Sequence, residues 1–61
     1  MIADTVRQMG MGDEMRGVPK HTAAAMVREA NRIAKRDRSN LLLTRTQDYH
    51  RAPTCTVKRV G

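Results

Sequence analysis

Aromatic side chains are almost missing from this chain: Tyr49 stands alone, with neither phenylalanine nor tryptophan among 61 residues. A core must therefore come from Leu, Ile, Val, Met and Ala, with Met9, Met11, Met15 and Met26 as adaptable fillers. A chain this short buries a small fraction of its surface, so one domain of modest stability is expected, and a partner with it. Cysteine is reduced to Cys55, which excludes an internal disulfide. With His21 and His50 the only imidazoles, zinc-ligand spacing is absent too. A reducing, cytosolic setting fits. No apolar run is long enough to span a bilayer, and the opening MIADTVRQMG has neither a basic n-region nor an apolar h-region, so no membrane association is expected.

Catalytic groupings are missing as well. There is no glycine-rich phosphate loop, the pair Asp13 and Glu14 has no partner acid, and Cys55 has no assembled base beyond His50. A non-enzymatic protein without a cofactor is expected, with Cys55 as a small packing residue.

What the chain does have is positive charge. Twelve Lys and Arg oppose six Asp and Glu, a net of +6, and the sequence pI is near 10.8. The charge is uneven. Residues 1–19 hold Arg7 and Arg16 against Asp4, Asp13 and Glu14, two against three; residues 20–61 hold ten cations against Glu29, Asp37 and Asp48. Such a balance points to a polyanionic partner, nucleic acid first.

Four pieces emerge along the chain. Ile2, Val6 and Met9 recur at i, i+4, i+7 before Gly10, the pattern of a short helix with a glycine stop. MGDEMRGVPK, with two glycines and a proline, reads as a connector, with Met11, Met15 and Val18 packed on the core. A second helix runs to Asp37 within residues 20–38, with Thr22 as its N-cap. NLLLTRT gives a strand over Leu41 to Thr46. A proline-bounded polar loop follows, then TCTVKRV.

On the second helix Ala23, Met26, Val27, Ala30, Ile33 and Ala34 share one side. Arg28, Arg32, Lys35 and Arg36 share the other, in line with Ala24 and Ala25. Small residues at the start and cations beyond suit a helix that enters a major groove by its N-terminal half, with Glu29 and Asn31 placed to read base edges. Helix, strand, polar loop and returning segment give the order of a winged helix-turn-helix, so the expected fold is mainly α with a small β-hairpin over 40–61. Lys20, His21 and Thr22 start the helix, and Arg45, Gln47, His50 and Arg51 furnish the wing.

HTAAAMVREANRIAK and the ending RAPTCTVKRVG resemble the short excisionase-like proteins encoded near integrases on bacterial integrative elements. Thr22 and Ala23 match that family's TA, Met26, Val27 and Arg28 its IIR, Ala30 its alanine, and Pro53, Val57, Val60 and Gly61 its ending. The resemblance implies a small winged-helix protein that binds double-stranded DNA as several copies, beside an integrase or as a regulator of a mobile element. It also implies a short third helix after Pro53, whereas the β-branched composition of TCTVKRV favours a strand. Two rival readings are a small RNA-bound protein and a protein-binding inhibitor that uses the Met-rich first third.

Overall fold

The computed structural model describes residues 2–61. Its elements are α1 (Ile2–Gln8), β1 (Glu14–Pro19), α2 (Lys20–Asp37), β2 (Leu43–Gln47) and β3 (Thr54–Arg59). The three strands form one antiparallel sheet in the order β1-β3-β2, so the last strand is the central one. α2 packs on one face of this sheet, and α1 packs on α2.

The period of 3.6 explains α2. Ala23, Met26, Ala30 and Ile33 are buried, with Val27 and Ala34 packed at the margin. The period of two explains the sheet: Leu43, Cys55 and Val57 are buried beneath α2, while Thr44, Thr46 and Lys58 are exposed. Val6 and Met9 of the N-terminal segment, Val18 of β1 and Leu41 complete the core. Cys55 is free and buried in it.

The architecture is α+β, two helices and a three-stranded antiparallel sheet, and this overturns the expectation of a mainly helical winged helix-turn-helix. No second helix stands between β1 and α2, because Pro19 ends the strand and Lys20 begins the helix. The segment expected to be a connector holds β1. Its glycine and proline are fittings of an edge strand: Gly17, at φ 70°, lies where the register shifts between Met15 and Val18, and Pro19 lies at the strand's end. TCTVKRV is a strand, not the third helix that the resemblance implied.

Two smaller expectations also change. α2 starts before Thr22, with Pro19 at the N-cap position and no side-chain cap. The backbone N–H of Lys20 donates to the Pro53 carbonyl at 3.1 Å, so the chain turns from strand to helix where β1 leaves β3. Met9 and Met26 are buried, but Met11 is 68% exposed and Met15 37%. Met15 lies on the edge strand β1, where no neighbouring strand covers it, and Met11 in the turn before it.

Candidate nucleic-acid interface

The buried residues of α2 fix which side faces out. Opposite them lie His21, Arg28, Arg32, Lys35 and Arg36, all exposed, with Ala24 and Ala25 half-buried between His21 and Arg28. Arg28 and Lys35 are seven residues apart, about 10 Å along the axis, and the 18-residue helix is about 27 Å long. The cations thus form a line along the helix.

Local pairing sorts these cations. The Arg32 guanidinium donates to the Glu29 carboxylate through Nε at 3.1 Å and through Nη2. The hydrogen bond from Arg32 lowers the pKa of Glu29, and the bond to Glu29 raises that of Arg32. Arg7 pairs with Asp37 at 3.5 Å and Arg16 with Glu14 at 3.0 Å. Asp13 accepts the Gly10 N–H at 2.8 Å. With three of the twelve cations paired to acids, nine have no carboxylate partner among the described residues. They include Lys20, Arg28, Lys35, Arg36, Arg38, Arg45 and Arg51.

The loop between β2 and β3 joins this line at its start. Since Lys20 is bonded to Pro53, the loop's Tyr49, His50 and Arg51, all exposed, sit by the N-terminal end of α2. Arg45 is exposed on β2 and shares a recess with Lys20, Gln47 and Cys55. Gln47 shapes the loop: its side-chain amide donates to the Ala52 carbonyl at 3.2 Å and closes the turn. Thr22, half-buried, lines a different groove with Ile2, Met15 and Met26.

Sequence reading missed Arg38 and the conformation of Arg51. They are the two non-glycine residues with positive φ among those described, at 53° and 59°. Arg38 caps α2 in the left-handed conformation with its N–H on the Ala34 carbonyl. Glycine or asparagine is the easy choice at such positions. Here both are exposed arginines, and nothing in the sequence pattern signals this.

Asp48 anchors the loop. It accepts the Thr54 and Thr56 hydroxyls at 2.6 Å each, and its pKa is lowered first by the Thr54 bond, then by Thr56, with the Gly17 N–H and Arg16 adding to it. The carboxylate therefore ties the start of the β2–β3 loop to β3. Because its folded pKa lies below the unfolded value, its stabilisation is present above the unfolded pKa and is lost as pH falls through the folded one. Asp48→Ala should be less stable than the parent at about pH 7, and the gap should close at about pH 2, below the usual carboxylate range. Urea unfolding at both pH values checks this; a gap that persists in acid would assign the loss to packing.

The described residues contain no cluster of three or more His, Cys, Asp or Glu that could hold a metal ion, and no helix long and apolar enough to cross a membrane. Compared with family models, curated proteins and solved structures, the chain matches none.

Proposed function

We propose that this chain binds double-stranded DNA through the outer side of α2, with the β2–β3 loop on the phosphate backbone beside it. The observation that carries this reading is the placement of arginine at both left-handed positions, Arg38 and Arg51, at opposite ends of the line of unpaired cations. Backbone strain that glycine would relieve is retained where it presents a charge, as at sites shaped by a ligand. Arg28, Lys35 and Arg36 supply phosphate contacts between those ends, and the small Ala24 and Ala25 let the start of the helix approach closely. A role as excision factor or small regulator of a mobile element is the finer form of this proposal, and it rests on the sequence resemblance.

The test separates function from folding. Glycine at both positions, Arg38→Gly with Arg51→Gly, relieves left-handed strain of about 1–2 kcal/mol per residue, partly offset by glycine's greater unfolded-state freedom. The double variant should unfold at the same urea concentration as the parent or higher, yet shift a duplex DNA pool only at several-fold higher protein concentration. Equal DNA binding by parent and variant, or no shift of any duplex by the parent at low salt, would sink the proposal. An RNA duplex that competes as well as DNA would move the reading to RNA.

A further inference from the structure

The two edges of the sheet differ. β1 is unfit to accept another strand, since its register shifts between Met15 and Val18, Gly17 sits in that bulge, and Pro19 ends it. β2 has none of these protections. Leu43–Gln47, sequence LTRTQ, pairs with β3 one residue to one residue without a bulge, and contains neither glycine nor proline.

The direction of its free backbone groups follows from the flanking bonds. The Val60 N–H donates to the Leu42 carbonyl at 2.9 Å, and the Asp48 N–H to the Thr54 carbonyl at 3.2 Å. In an antiparallel ladder such pairs alternate, so Leu42, Thr44, Thr46 and Asp48 bond inward to β3. The backbone N–H and C=O groups of Leu43, Arg45 and Gln47 therefore point away from β3; Leu43 is buried, so the accessible part is Arg45 to Gln47, about 7 Å of edge. Thr44 to Gln47 are exposed, so that edge is open.

We infer that the free edge of β2 docks an extended acidic segment of a partner protein, which adds as a fourth strand and sets a carboxylate beside Arg45 and Lys20. Charge selects this occupant. Arg45 is exposed at the middle of the strand, and with Lys20, Gln47 and Cys55 it borders a recess of about 310 Å³. Neither cation has an acidic partner among the described residues. A second copy carrying +6 would meet like charge, whereas an acidic strand gains both ladder bonds and ion pairs. This inference stands apart from the DNA reading, although both use Arg45 and Lys20, so an acidic segment on β2 would displace DNA from that end of the molecule.

The probe is a capped eight-residue peptide of alternating aspartate and valine, with two controls: alternating lysine and valine, and the acidic peptide with proline at every second position. Amide exchange of the intact chain is followed by NMR. The acidic peptide should protect the amides of Arg45 and Gln47 and leave Thr44 and Thr46 unchanged. Binding should fall at least tenfold with the proline peptide and with Arg45→Glu, and the lysine peptide should not bind. Acidic and proline peptides binding equally, without amide protection, would reduce the effect to charge attraction and overturn the inference. So would protection that rises with protein concentration in the absence of peptide, which would assign the edge to a second copy.

Discussion

Met26→Ala is expected to cost about 2–4 kcal/mol, the range for truncating a buried methionine that its surroundings cannot close over. Met26 is 2% exposed and stands on α2 among the core residues contributed by both helices and the sheet. A domain of this size has roughly 3–9 kcal/mol of stability in total, at about 0.05–0.15 kcal/mol per residue. A large share of the stability is therefore lost, and thermal unfolding followed by circular dichroism should show a large drop in midpoint. Met15→Ala is the matched control. Met15, at the open edge of the sheet and 37% exposed, should cost under about 1 kcal/mol. Similar losses at the two sites would mean that the core is not centred on α2.

The second large effect concerns binding. Arg28→Glu combined with Lys35→Glu shifts the charge by two at each site, taking the net from +6 to +2 while touching no buried residue. If both cations lie on phosphates, affinity for duplex DNA should fall at least about tenfold, and the slope of log K against log salt should become shallower by about 2. Lys58→Glu, which takes the net to +4 on the sheet face away from α2, controls for charge alone when set against Arg28→Glu, which makes the same change on the helix. Lys58→Glu should bind much as the parent does. Equal losses from Lys58→Glu and from Arg28→Glu alone would show an unspecific charge effect and dismiss the helix face as the interface.

Both helices and the apolar side of α2 are legible in the sequence because their periodicity is uninterrupted: Ala23, Met26, Ala30 and Ile33 repeat through a segment without glycine or proline. β2 is legible for a similar reason, two residues offset from its observed start. β1 is not. Only Val18 of its six residues is buried, so no alternation marks it, and the bulge at Gly17 would break one. With that strand hidden, the pattern shows a helix and a hairpin where the fold has a larger sheet. The cations of α2 are visible one by one. Their sorting into paired Arg32 and unpaired Arg28, Lys35 and Arg36 needs side-chain geometry, although the i, i+3 spacing of Glu29 and Arg32 is the standard signal for such a pair. The left-handed Arg38 and Arg51 carry no sequence mark, since turn chemistry there favours glycine or asparagine.

The strand order also governs when the fold can assemble. β1 and β2 never pair with each other; each waits for β3, the last strand to be made. Glu14 meets Lys58 across 44 positions of chain, so the sheet closes through a long loop whose entropic cost precedes any gain from the ladder. During synthesis, α1 and α2 can come together first, while β1 has no strand to pair with until Thr54–Arg59 arrives. Folding should thus be a late, single event that starts from the helices, and a chain halted at Pro53 should keep helical signal without a sheet.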